Sequence, residues 1–377
     1  MKNFLLLLLA AIVACSEKTQ ETQSDAYVPD LVIADSLVID NLTQLTFIDV
    51  KEDHSEYLFY DFKTSEFFRI GKSGEIILKA NRSEDGKDSY KSSYFSTAHY
   101  LKNDRILVLT YALASIYDLD FNLIESKNVD FELITRTGGG SRAALTSGDY
   151  LYTFSLDTDG DVDTIVGSEE FSIAYPFMRI RDINIFDTLY TSFIPKETQM
   201  AVNPGLYNNL DPIVKIIKDE MYVLFPNSPE MYVYDFPALN LKTSWDLNPG
   251  DNYKQTLPQD PDINFDGFLK ELAGSQYKAF TFSNGNLLTI YEGAAPQDEV
   301  DKLPKEYIGG PEFTEMAEKY KNKTYYQIFK DEKKLWEGFW DINLMSVRDI
   351  LYSNAKPGED PDAVEKDMQT YYFYELR

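Results

Sequence analysis

Few side chains in this sequence are of a kind that does chemistry, and their spacing limits what each can do. There are two histidines, His54 and His99, in unrelated segments. Neither has the spacing of a zinc pair, and no H-E-x-x-H occurs. A G-x-S-x-G elbow for a nucleophilic serine is also missing. The stretch "DINFDG" offers more: Asp262, Asn264 and Asp266 set oxygen donors on alternate residues, and Gly267 lets the chain turn sharply. That is the first half of a calcium-binding loop. The second half departs from it, because the twelfth position is Ala273 where a bidentate Glu is expected. In the simpler reading, Asp266 caps the short helix "GFLKELA". "TRTGGGSR" places Arg136 and Arg142 around three glycines, and Arg179 and Arg181 follow in the same repeat unit. Exposed N–H groups and four guanidinium groups can form an anion or carboxylate pocket. The plainer alternative is ion pairing with neighbouring acids. The G-K-[ST] ending of a phosphate-binding P-loop is absent. "DTDGDVD" (157–163) reads as a solvated acidic turn, and Trp245, Trp336 and Trp340 as packing residues before sugar-stacking ones.

The single cysteine, Cys15, is not available for catalysis if its setting is read correctly. Lys2 and the amine form a short positive region, and Phe4 to Val13 is an unbroken apolar run. A helix of that length covers about 15 Å, half of a ~30 Å hydrocarbon core, so a signal peptide is expected over 1–14 and not a spanning helix. Ile12-Val13-Ala14-Cys15 resembles the bacterial lipobox. The resemblance implies cleavage before Cys15, acylation of its thiol and new amine, and a bilayer as partner. Two or more acyl chains hold a protein stably at a membrane. Residue Ser16, in place of Asp, gives no signal for inner-membrane retention, so the expected location is the outer membrane, on its periplasmic or cell-surface face. Residues 15–29 then form a polar, flexible tether.

A formal net charge of −26 argues against nucleic acid as a partner, since phosphates need Lys and Arg to neutralise them. With one cysteine there is no disulfide within the chain, so a hydrophobic core must hold the fold alone. At this length it suffices, because chains of about 300 residues bury about three quarters of their surface.

Residues 30–377 carry a repeat. Tyr and Phe, 27 and 24 in number, cluster in short alternating runs flanked by Gly, Asn, Asp or Pro, a strand signature. Long amphipathic helical stretches are nearly absent. One unit recurs: a strand ending aromatic-acid, a tight turn and another strand. It reads Tyr60-Asp61, Tyr117-Asp118, Phe186-Asp187 and Tyr234-Asp235, then degenerates to Phe329-Lys330 and Tyr374-Glu375. Each anchor is preceded by a partner strand such as "ILVLTY" or "MYVLF". Four-stranded propeller blades need about 40–50 residues, and insertions lengthen them. The longest interval, between Tyr234 and Phe329, holds two loop-plus-helix stretches. The expected fold is all-β, a six-bladed β-propeller with short helical insertions in blade five. Tyr374 lies where a fourth strand should follow, but the sequence ends at Arg377. The run "DLVIADSLVIDN" (30–41) has no upstream partner, and is expected to close the last blade as its outermost strand, hiding an otherwise open edge.

The lipobox, the Tyr-Asp repeats and the acidity together resemble the six-bladed propeller lipoproteins of Bacteroidota, a domain of unknown function of the NHL/TolB-like propeller type. The resemblance implies fold and location and carries no catalytic residue with it. The function expected is a membrane-anchored binding module for a glycan, peptide or outer-membrane protein. The competing classes are a metal-dependent hydrolase or lyase on the same fold and a scaffold subunit of an outer-membrane uptake complex. No cofactor other than calcium is implied.

Overall fold

The computed structural model describes residues 27–92, 95–133, 143–157, 171–304, 308, 310–359 and 368–377. Cys15, Arg136 and Arg142 lie outside the described residues.

Strand β1 (Leu31–Ile39) comes first in the chain, but its partner is the last strand. Blade one is β2 (Thr46–Val50), β3 (Glu56–Asp61), β4 (Glu66–Gly71) and β5 (Ile76–Asn81). Blade two is β6 (Thr97–Leu101), β7 (Arg105–Leu109), β8 (Leu113–Asp118) and β9 (Leu123–Asn128). In blade three the inner position is shared by β10 (Phe131–Leu133) and β11 (Ala144–Ser147), which both pair with β12 (Tyr150–Asp157); β13 (Met178–Asp182) and β14 (Thr188–Ser192) follow outward. Blade four is β15 (Ile213–Ile217), β16 (Glu220–Leu224), β17 (Glu230–Asp235) and β18 (Leu241–Asp246). Blade five is β19 (Tyr277–Ser283), β20 (Asn286–Glu292), β21 (Thr324–Lys330) and β22 (Lys333–Phe339). Blade six is β23 (Met345–Val347), β24 (Ile350–Ser353) and β25 (Gln369–Leu376), completed by β1.

The innermost strands form an unbroken ring, β2 against β6, then β11, β15, β19, β23 and back to β2. This is the six-bladed propeller expected from the repeat. The closing strand is also where the sequence placed it: β1 runs antiparallel to β25 with Leu31 opposite Leu376 and Ile39 opposite Gln369. Leu37 and Ile39 are buried there, so closure stabilises by apolar contact as well as by ladder hydrogen bonds. Blade five carries the expected helices, Gln297–Val300 and Pro311–Met316 between β20 and β21 and Asp266–Ala273 just before β19. They pack on one another through Leu269, Leu272, Val300 and Phe313. Among the described residues no helix is long and apolar enough to cross a membrane.

Two of the six anchors need correcting. Every third strand carries a register shift against its outer neighbour, at Arg69/Ile70, Ile116/Tyr117, Ile180/Arg181, Val233/Tyr234 and Ile328/Phe329, and opposite Tyr374 in the last blade. The equivalent positions are therefore Ile70, Tyr117, Arg181, Tyr234, Phe329 and Tyr374. Tyr60 belongs instead to β3, the second strand of its blade, and Phe186 to the turn after β13. In blade three the slot, which holds Ile70 in blade one and an aromatic in the other four blades, is filled by Arg181, 1% exposed, its guanidinium 3.9 Å from the Phe131 ring centre.

Candidate functional site

Each innermost strand leads into the second strand of its blade through a tight turn, and all six turns gather at one end of the central channel. Each turn has at least one residue in the left-handed region: His54, Asn103 and Asp104, Gly148, Lys218, Asn284 and Gly285, and Arg348. Tight hairpin turns require this conformation to match the twist of their strands. Within the ring they open a cavity of about 740 Å³. Leu101, Leu145, Val214, Ile216 and Phe282 give its walls an apolar surface from four blades, among Thr146, Ser147 and Thr281 of the same strands. Its rim is charged, with Lys51, Glu52 and His54 from blade one, Lys102 and Asp104 from blade two and Asp349 from blade six.

The floor is one guanidinium group. Arg348, in the β23–β24 turn, reaches across the channel to the opposite side of the ring. Its Nε donates to Asp49 Oδ1 at 2.5 Å and Nη2 to Asp49 Oδ2 at 3.0 Å, a two-point pair with blade one. Nη1 donates to the Thr146 carbonyl at 3.1 Å and Nη2 to Thr146 Oγ1 at 2.9 Å, in blade three. Four of its five N–H donors are thus engaged. Arg348 has φ +47°, in a two-residue turn position that favours glycine. For a side chain with a Cβ this costs about 1–2 kcal/mol, offset here by bonds that only this placement allows.

Asp49 is 1% exposed. Its second oxygen also accepts from the Tyr100 backbone N–H at 2.7 Å. Burial pushes its carboxyl up, but the Arg348 charge, with His99 adding to it, more than offsets this and holds it far below the usual carboxylate range. Behind it lies His99, with Nδ1 3.7 Å from Asp49 Oδ2 and Nε2 3.0 Å from Thr97 Oγ1. At the rim, His54 Nε2 pairs with Asp349 Oδ1 at 3.1 Å.

Beside the floor stands Lys215, 8% exposed, in the otherwise apolar strand β15. From blade four it passes the Phe280 ring of blade five and donates to the Arg348 carbonyl and to Ser346 Oγ of blade six. Among the described residues no carboxylate lies within ion-pairing distance of its ammonium. Burial therefore dominates and, with the Asp349 charge opposing it, brings its pKa down to about 7.

The residues singled out from the sequence lie elsewhere. Arg179 and Arg181 sit side by side on β13 and both pair with Asp157, at 2.7 and 3.2 Å, inside blade three and apart from the cavity. Asp266 does not cap its helix: the capping position is Phe265, and the Asp266 carboxylate instead accepts from the Asp260 backbone N–H at 2.6 Å, bracing the loop ahead of the helix. Asp262 is tied to the same turn through its own N–H and Asp260 Oδ1. Asn264 is exposed in that loop. Among the described residues no group of three His, Cys, Asp or Glu is placed to hold a metal ion. Trp336 and Trp340 stack at 4.8 Å on the wall between blades five and six. The channel residues Asp49, Lys215 and Arg348 were not singled out from the sequence. A lone Lys in "IVKII" is the one local signal that could have found any of them.

No family model matches the chain, and no curated protein matches it by sequence. Solved structures do match in fold. A member of the DUF4221 family from Bacteroides vulgatus aligns with a TM-score of 0.65 at 10% identity, covering 93% of this chain and 98% of that one. A candidate exported protein from Bacteroides fragilis aligns with a TM-score of 0.56 at 12% identity, covering 94% and 96%. The chain thus shares the fold of Bacteroides propellers, in keeping with the resemblance read from its repeats.

Proposed function

We propose that this chain is a propeller lipoprotein, anchored through Cys15 and facing the periplasm or the cell surface, that binds a ligand at the channel mouth. The observation that carries the reading is the cavity itself, of about 740 Å³, to which turns or strands of all six blades contribute. That is within the roughly 300–1,000 Å³ of small-molecule sites, and it sets apolar strand residues beside convergent polar and charged groups. Catalysis is not required by anything at the site.

The anchor and the mouth are on the same side in this reading. Leu31 lies opposite Leu376, and the adjoining β19–β20 turn touches that end through Asn284, which donates to the Leu376 carbonyl at 2.8 Å. That turn is one of the six around the cavity. The fifteen residues 15–29 span at most about 50 Å when extended. The mouth is therefore held near the membrane, where a ligand arriving from or leaving for a lipid-embedded partner would meet it.

Two measurements test this. Labelled palmitate should enter the wild type in cells and not Cys15→Ala; equal labelling overturns the anchor. A glycan and peptide array, probed with residues 16–377 and with Ser147→Trp, should yield binders that the bulky rim substitution abolishes. Binders that survive it place the ligand elsewhere on the propeller.

A further inference from the structure

The chemistry of the floor narrows what the mouth would take. Building on the binding-module reading, we propose that its ligand is an amphipathic anion, an apolar body carrying one negatively charged oxygen head, with the head seated on Lys215 and Arg348.

Three observations converge on this. First, both cations line the cavity with largely buried side chains, Lys215 8% exposed and the Arg348 side chain 25%. Arg348 retains one N–H donor beyond its four bonds. Lys215 has three donors and two recorded partners, both neutral oxygens. Second, Lys215 stands apart from the ion pairs around the cavity. Asp49 pairs with Arg348 and Asp104 with Lys51, while Glu52, Asp53 and Asp349 also line the cavity, Asp349 beside His54. Lys215 is left as a buried ammonium with no carboxylate in reach among the described residues. A buried charge of this kind is costly unless it is paired. An anionic head on the floor supplies the missing partner. Third, Leu101, Leu145, Val214, Ile216, Ile217 and Phe282 give the cavity an apolar surface beside the two cations, which suits an apolar body. A net charge of −26 over the whole chain makes an anion the less expected guest, so a cationic floor in such a chain has to be accounted for locally.

The proposal carries a proton linkage. Burial brings the pKa of Lys215 down to about 7. An anion beside it favours the ammonium, so binding takes up a proton above neutral pH and weakens as pH rises. The other titratable and charged groups nearby are Arg348 and Asp349, with His54 paired to Asp349 at the rim and His99 behind Asp49.

The test uses residues 16–377 and two fluorescent probes with a similar apolar body. One is 8-anilino-1-naphthalenesulfonate, which is an anion at every working pH; the other is N-phenyl-1-naphthylamine, which is uncharged. The wild type should bind the sulfonate at least tenfold more tightly than the amine at pH 6.5. Its affinity for the sulfonate should fall by up to about 20-fold between pH 6.5 and 8.5, as expected if the ammonium is the binding form. Lys215→Met, which replaces a buried charge by an apolar chain of similar length, should lose the preference and the pH dependence while binding the neutral probe as before. Equal affinity of the two probes for the wild type overturns the anionic head and leaves the binding module standing. A pH dependence that persists in Lys215→Met assigns the proton to a histidine and overturns the role of Lys215. Binding of neither probe overturns both this inference and the cavity as a binding site.

Discussion

Removing the charge of Asp49 should loosen the whole ring, because Asp49 and Arg348 join the first blade to its neighbour, the last, and hold the Arg348 side chain that reaches Thr146 of blade three. Asp49→Asn is the cleanest perturbation. The amide oxygen can still accept from the Tyr100 N–H, so one buried hydrogen bond is retained and the pairing of charge is what is lost. Arg348 is then left with no carboxylate, at a site where its side chain is only 25% exposed. Breaking a buried pair by removing one partner costs about 3–5 kcal/mol, and the partial exposure of Arg348 places the expectation near the lower end. With a urea slope of about 3 kcal/mol/M, the midpoint should move down by about 1 M. The acid side gives a second reading of the same interaction. The Asp49 carboxyl titrates well below its unfolded value, so its contribution is fully present above about pH 4 and is lost as pH falls through the folded value. The advantage of the wild type over Asp49→Asn should therefore shrink progressively as pH falls below about 4. A loss under about 1 kcal/mol at pH 7, or an advantage that does not shrink on acidification, would refute the argument that this pair closes the channel floor.

Three further outcomes follow from the structure. Leu37→Ala in the closing strand, where the side chain is 1% exposed, should cost about 2–5 kcal/mol, and should speed amide exchange in β25 more than in β17; equal exchange in both would deny β1 its role as closure. Arg181→Tyr should remain within about 1.5 kcal/mol of wild type in urea unfolding, since an apolar or aromatic group often replaces a buried ion without loss, whereas Arg181→Ala should cost clearly more; the reverse order would refute the slot assignment. The burial of Lys215 lowers its folded pKa to about 7 from an unfolded value near 10.4. The unfolded chain then binds the extra proton between those values, so stability of the wild type relative to Lys215→Met should rise with pH from 7 to 9; a flat difference would mean that Lys215 stays charged.

The architecture was legible because it rests on local patterns that repeat. Aromatic alternation marks the strands, and an unpartnered run at residues 30–41 marks the closing strand. The helices of blade five were visible as a break in strand spacing. The misplaced anchors have a specific cause. Asp61 accepts from the Lys63 and Thr64 N–H groups, much as Asp118 accepts from those of Asp120 and Asn122. The same aromatic-acid pair thus serves two different hairpins of a blade, and sequence cannot say which. In blade three the pattern failed because Arg181 stands in the aromatic slot, and the next match, Phe186-Asp187, lies in the following turn. The site was hidden for a different reason. Asp49, Thr146, Lys215 and Arg348 come from four blades, separated by tens to hundreds of residues, and only closing the ring brings them together. The two histidines, which look unrelated in the sequence, end up on the rim and behind the floor of one channel.

The pairing of β1 with β25 also sets an order of events. At the seam, Asp30 and Arg377 each donate a backbone N–H to the other's carbonyl, at 3.3 and 2.7 Å. The ring is thus fastened by the two strands made farthest apart in time. During synthesis or export, β1 emerges early and has no mate until residues 40–368 have followed it. For that whole interval its backbone groups are open to any other strand. The alternating "LVIADSLVI" carries an exposed acid, Asp35, beside the bulge in the seam, and a charge there discourages wrong pairing. The last blade cannot exist in part: until the chain has come through, there is no seam, no continuous inner ring and no channel mouth for a ligand to enter.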